Sequence, residues 1–190
     1  MRKAKFIQAL VVFVLCAGIT GSTYAQHGGG NGPTNPVKLG SLTFNAGIGA
    51  GAYYEGDYYN SPFGFKAAIE RGMWEAGPGV VTLGGEIGGS FSNGGYYSNY
   101  HSNTVVVAVR AAFHCGWDVP GLDTYGGVSA GLGFHHYSYN NNTDYSHSSV
   151  IPVPGIFVGA SYFVTPTFGF NAEAGHDITE IQVGIVLKLN

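Results

Sequence analysis

From Ser41 to Leu189 the chain alternates apolar and small or polar residues, position by position, in eight segments. Residues 41–54 carry Leu42, Phe44, Ala46, Ile48, Ala50 and Ala52 on one side. Residues 63–73 carry Phe65, Ala67, Ile69 and Met73, and residues 80–92 carry Val81, Leu83, Ile87 and Phe91. Residues 104–115 set Val105, Val107, Val109, Ala111 and Phe113 in line. Residues 124–137 do the same with Val128, Ala130, Leu132 and Phe134. Residues 153–164 bring Ile156, Val158, Ala160 and Tyr162. Residues 167–175 bring Phe168, Phe170, Ala172 and Ala174, and residues 179–189 bring Ile181, Val183, Ile185, Leu187 and Leu189. A period of two predicts β-strands, because successive side chains of an extended chain point to opposite faces.

The second face decides what kind of sheet this is. A soluble β-sandwich turns its apolar face inward and crowds the outer one with charged and long polar groups. Here the second face is Gly, Ala, Ser and Asn with single charges; in 80–92 it reads Thr82, Gly84, Glu86, Gly88 and Ser90. Side chains that small fit the inside of a narrow cylinder, with hydrocarbon on the outside. The segments also match the about 9–11 residues that a tilted membrane-crossing strand needs. Short Gly/Pro connections (75–79, 117–123, 165–167) alternate with stretches rich in Tyr, Asn and Ser (56–62, 92–103, 138–149). That asymmetry is typical of an outer-membrane barrel, with tight periplasmic turns and longer outer loops. The expected fold is all-β: an eight-stranded, antiparallel, up-and-down transmembrane β-barrel over 41–190, both ends on the periplasmic side.

The N-terminus fits that destination. Arg2, Lys3 and Lys5 precede the apolar run FIQALVVFVLCAGI, and Thr23 and Ala25 form a small-residue cleavage site. Residues 1–25 therefore read as a cleaved signal peptide. The run is too short for a membrane helix, and Leu15 before Cys16 argues against a lipoprotein site. Residues 26–40, QHGGGNGPTNPVKLG, read as a flexible tether. Removing the signal takes three of the eight basic residues and none of the eleven acidic ones, leaving a net charge of −6. A nucleic-acid partner is then excluded. Cys115 alone remains, so no internal disulfide forms. Glycine, 32 of 190 residues, has no three-residue period, so the chain is not collagen-like.

The run YFVTPTFGFNAEAGHDITEIQVGIVLKL, residues 162–189, resembles the C-terminal hairpin of small bacterial outer-membrane β-barrel proteins of the OmpA/OmpX-like superfamily. The signal and the strand count extend the resemblance over most of the chain. It implies residence in the outer membrane, contact with its lipid, and a charged lumen. One departure is the end, Leu189-Asn190, where many such proteins carry an aromatic residue. No peptidoglycan-binding domain follows, so an anchoring role of that type is not expected.

Candidate chemistry lies mainly on the small-residue face. Glu86 is expected beside Arg110, and Lys66, Glu70, Glu173, Glu180, Gln182 and Lys188 share its parity. Isolated charges in a low-dielectric interior are costly, so these groups should pair across the lumen. Paired permanently they plug the barrel; swapping partners they would gate a narrow channel for ions or small solutes. His101, His135, His147 and His176 belong near the loop end, without the spacing of a zinc site, so neither metal nor cofactor is expected. His136, Ser138 and Asn140 resemble the His-x-Ser-Asn of outer-membrane lipid A deacylases. The orienting acid is missing, though: Val150 stands where one is expected, and Asp144 is in the wrong setting. A lipid-modifying enzyme is therefore the third reading, and the chain is expected not to be an enzyme. Tyr96, Tyr97, Tyr100, Tyr139 and Tyr145, set among Ser and Asn, suit an adaptable contact surface for an extracellular ligand or protein. The expected role is structural or surface interaction, by a monomer.

Overall fold

The computed structural model describes residues 35–52, 63–93, 100–141 and 143–190. Eight strands follow one another: β1 (Leu42–Gly51), β2 (Phe63–Ala76), β3 (Gly79–Asn93), β4 (Tyr100–Gly116), β5 (Leu122–Asn141), β6 (Thr143–Phe163), β7 (Phe168–His176) and β8 (Thr179–Lys188). Each pairs antiparallel with its neighbour in sequence, and β8 pairs with β1 to close the barrel. Closure gives the strands a partner on both sides, as hydrocarbon demands of a spanning backbone.

The barrel is built inside out. Its apolar residues point outward and are exposed: Ile48, Ile69, Ile87, Val107, Val109, Leu132, Ile156, Val183 and others. Its interior holds Lys66, Glu70, Thr82, Glu86, Arg110, His114, Asp123, Asn171, Glu173 and Gln182, all buried. Exposed aromatic residues mark both borders of the apolar band. Phe63, Phe65 and Phe134 lie toward the loop end, where Phe65 stacks on Phe91 at 5.9 Å; Trp74, Trp117, Tyr162 and Phe170 lie toward the turn end. Aromatic belts of this kind sit at headgroup depth.

The inner face is less empty than the pattern suggests. Val106, Tyr125, Val153, Phe157 and Phe163 also point inward and are buried. The two midbarrel aromatics fit because each faces a glycine in the β5–β6 ladder: Phe157 opposite Gly127, and Tyr125 opposite Gly159. A Cβ on Gly127 would lie 2.5 Å from Phe157 Cζ, and one on Gly159 2.4 Å from Tyr125 Cζ. Apolar groups are also buried toward both ends. Val106, Ala108, Val153 and Ile178 cluster at the loop end, and Val37, Val80 and Phe163 are buried at the turn end.

Three expectations are corrected. Residues 138–149 are not a loop: β5 and β6 run through them as one long hairpin. Ala52 does not face lipid; it is fully buried, its amide bonded to Ile178 O and its carbonyl to Ser90 Oγ, because the chain folds over the loop end after Gly51. Of the expected tether, residues 35–40 are docked against the barrel. Gly40 donates to Gly72 O, Gly72 donates to Ser41 O, and Val37 is buried. Gly72 is needed there, since a Cβ would stand 2.2 Å from Lys38 O. Residues 26–34 and the expected signal, 1–25, lie outside the described residues.

The outward face yields a direct prediction. Val107 and Leu132 pair side by side in the middle of β4 and β5, both about half exposed. Val107→Arg should lower stability by about 2–4 kcal/mol in lipid vesicles, as expected for a cation near the bilayer midplane. Urea titration checks this, and an unchanged midpoint would mean that the face does not meet lipid.

Candidate functional site

One side chain organises the lumen. Arg110 projects inward from β4 and reaches three carboxylates on three other strands. Its Nη1 lies 3.0 Å from Glu86 on β3 and its Nη2 3.1 Å from Glu173 on β7. Its Nε lies 2.9 Å from Glu70 on β2, a charge contact without hydrogen-bond alignment. The guanidinium also stacks over the Phe157 ring on β6, 3.9 Å from its centre. Arginine suits this place because its planar fork binds several oxygens at once and its face tolerates an aromatic ring.

The contacts extend along the axis in both directions. Toward the loop end, Lys66 pairs with Glu173 and, at 2.6 Å, with Asp177 Oδ2. Asp177 Oδ1 accepts the Ile178 and Thr179 amides, so the β7–β8 connection is tied to the lumen. Toward the turn end, Thr82 donates to Glu70, and His114 lies between Glu70 (3.4 Å) and Asp123 (2.8 Å). The His114 ring stacks on Tyr125 at 4.9 Å, and Tyr125 meets Phe157 edge-on. Five carboxylates thus surround two strong bases and one histidine.

Most of the expected lumen residues meet here: Lys66, Glu70, Glu86, Arg110 and Glu173. The expected neighbours Glu86 and Arg110 are diagonal in the ladder, Glu86 standing opposite Ala108, and their side chains bridge the offset. Two expected members do not join. Around Glu180 the β8 register slips, with Ala50 opposite Ile181 and Gly51 opposite Thr179. A bulge leaves the extra residue unpaired and re-aims it; Glu180 leans out to His176 Nδ1 at 2.8 Å, 38% exposed. Lys188 stands at the turn-end rim and donates to Pro36 O. Gln182 does point inward, against Thr179.

His114, Asp123, Tyr125, Phe157 and Asp177 are additions. His114 has the parity of Arg110 on β4, so the alternation alone could have found it. Asp123 has the inward parity of Tyr125 and Ser129 on β5, and Asp177 continues that of Asn171 and Glu173 on β7, but both lie beside tight connections that hide the alternation.

The other candidates spread over the loop end. His135 bonds Thr104 across the ladder at 2.8 Å. His136, on the outer face, meets the Ser148 hydroxyl at 2.9 Å. Among the described residues no three His, Cys, Asp or Glu are grouped as metal ligands. Tyr100, Tyr139 and Tyr145 share one row of backbone register across β4, β5 and β6. Tyr96 and Tyr97 lie outside the described residues.

No protein-family model matches the chain, and no curated protein sequence matches it. Solved structures share its fold. Ail, the attachment invasion locus protein of Yersinia pestis, aligns at a TM-score of 0.51 and 15% identity, over 80% of this chain and 96% of that one. The N-terminal β-barrel domain of Pseudomonas aeruginosa OprF gives 0.46 and 19% over 80% and 98%. Neisserial surface protein A gives 0.41 and 15% over 78% and 94%. The closed, eight-stranded antiparallel barrel with an apolar exterior is thus a fold that Ail also has.

The lumen contacts predict strong coupling. Arg110→Met leaves Glu86 without its ion pair and Glu86→Gln takes one of three carboxylates from Arg110, and losing one member of a buried pair costs up to about 3–5 kcal/mol. The double variant should be more stable than the sum of the singles by about 0.5–3 kcal/mol, the range for residues in contact. Arg110→Met should be the more damaging single change, because it takes one base from three carboxylates and leaves Glu86 without an ion pair. Additive effects in urea titrations would show that the two groups do not interact.

Proposed function

We propose that the protein is a sealed outer-membrane barrel that acts by surface contact, its lumen filled by the Arg110-centred network and its outer end carrying the contact surface. Residues 1–25 are the removed signal and 26–34 a tether leading to the docked segment. The even strand number puts both barrel ends on one side, which on this reading is the periplasmic one, with the β5–β6 hairpin on the other.

The unequal strands carry this reading. β5 and β6 have 20 and 21 residues, whereas β7, β8 and β1 have 9, 10 and 10. β7 pairs with β6 only from Ile156 to Phe163, so, among the described residues, 143–155 pair with β5 alone. At about 3.3 Å per residue, those 13 residues are about 40 Å of strand. With the upper parts of β3 and β4 they form a sheet standing beyond the shorter side of the barrel, with an unpaired β6 edge. Pro152 and Pro154 lie on that edge near the barrel, where proline limits unwanted strand addition. Above them the sheet is Tyr, Ser, Asn and His, a composition suited to adaptable contact. The similarity in fold to Ail, whose name links that protein to attachment and invasion, supports this reading.

Replacing residues 137–148 by an Asn-Gly turn should leave the barrel folded, because β5 and β6 keep their pairing below. Cells displaying the shortened chain should lose adhesion to a panel of glycan-coated and protein-coated surfaces. Equal adhesion by both chains would contradict the contact role.

The sealed lumen has its own test. Refolded protein should give no steady current in planar bilayers, since Arg110, Phe157 and Lys66 fill the middle and apolar groups are buried toward both ends. A reproducible conductance that changes in Glu86→Gln would support a gated ion channel instead.

A further inference from the structure

Lys188 is a half-buried lysine that the polar core does not use. It is half-buried at the turn end, where its Nζ donates to Pro36 O at 3.2 Å and lies 5.9 Å from the centre of the Phe163 ring. Lys66 and Arg110 each meet two or more carboxylates, whereas Lys188 makes no ion pair among the described residues. An ammonium carries three donors, and the Pro36 carbonyl takes one.

A cleft of about 340 Å³ opens beside it, lined by Asn35, Pro36, Pro120, Phe163, Pro166 and Lys188. The docked N-terminal segment supplies one wall, and the β4–β5 and β6–β7 turns supply the others. The walls are largely proline and phenylalanine, stiff and apolar. Near such walls a lone charge is less well solvated and gains more from a counter-charge. Asn35 adds a second polar group: its side-chain oxygen is buried without a hydrogen-bond partner. An acceptor is thus left for a hydroxyl carried by the ligand.

We infer that this turn-end cleft binds a small anion, a carboxylate or phosphate group, on Lys188, with Asn35 as the second polar contact. The apolar walls accept a compact hydrocarbon body behind the charged group. The same chemistry is offered by a free solute and by the headgroup of an anionic lipid in the adjoining leaflet. The site stands apart from the lumen network and does not depend on whether the lumen is sealed.

The test is an amide NMR titration of 15N-labelled protein in nanodiscs of zwitterionic lipid, with sodium phosphate or acetate replacing chloride at constant ionic strength. Saturable shifts at Gly121 and Thr165 are expected, lost in Lys188→Gln and retained in Lys188→Arg. Glutamine keeps a donor for Pro36 O, so the docked segment stays in place and only the charge is removed. Nanodiscs containing phosphatidylglycerol separate the two sources. Shifts already present there before any added anion assign the site to lipid headgroups; shifts only on titration assign it to a free anion. No saturable shift in either lipid, or a shift that survives Lys188→Gln, overturns the site.

Discussion

Everything inside the barrel depends on how the Arg110 guanidinium is neutralised. It is fully buried, and an uncompensated charge there would be prohibitive. Three carboxylates from β2, β3 and β7 and the face of Phe157 on β6 meet that demand together. The contacts join strands that are not neighbours in the sheet, so the lumen is braced across its diameter as well as around its wall. Lys66 then shares Glu173 with Arg110, and His114 shares Glu70 with it, so two of the acids each serve two bases. A shared arrangement resists partner exchange, because moving one base unbalances two acids.

The same constraint explains the glycines. A cylinder of eight strands leaves little room, and the network places large side chains in it. Gly127 and Gly159 make room for Phe157 and Tyr125, and Gly155 lies where a Cβ would approach Asp177 Cβ within 2.5 Å. The small-residue face is thus the complement of a few bulky residues. Hydrophobic burial, which holds a soluble core together, is moved to the lipid side, and the interior relies on charge and hydrogen bonding.

Much of this was legible in the sequence. Alternation gave all eight strands and the lipid face, because a period of two shows wherever one side meets hydrocarbon and the other does not. Arg110 and its three acids followed from the same parity. Parity fails where the ladder is interrupted. The bulge at Glu180 turns a residue of inward parity outward, and no local residue type announces it. Asp123 and Asp177 keep the inward parity of β5 and β7, but they stand beside turns whose residues mask the alternation. The upper β5–β6 hairpin was hidden by composition, because Asn, Ser and Tyr read as loop while cross-strand pairing holds them extended. The docking of residues 35–40 depends on Gly72, far along the chain, and a Gly/Pro-rich segment gives no local sign of it.

The most direct test of the central claim is the state of the Arg110 side chain itself. In protein labelled with 15N-arginine and held in lipid nanodiscs, the Arg110 guanidinium protons should give separate, slowly exchanging resonances. Restricted rotation and exclusion of water both require this if three carboxylates and Phe157 hold the group. An averaged signal that exchanges with water as fast as that of free arginine would contradict the account.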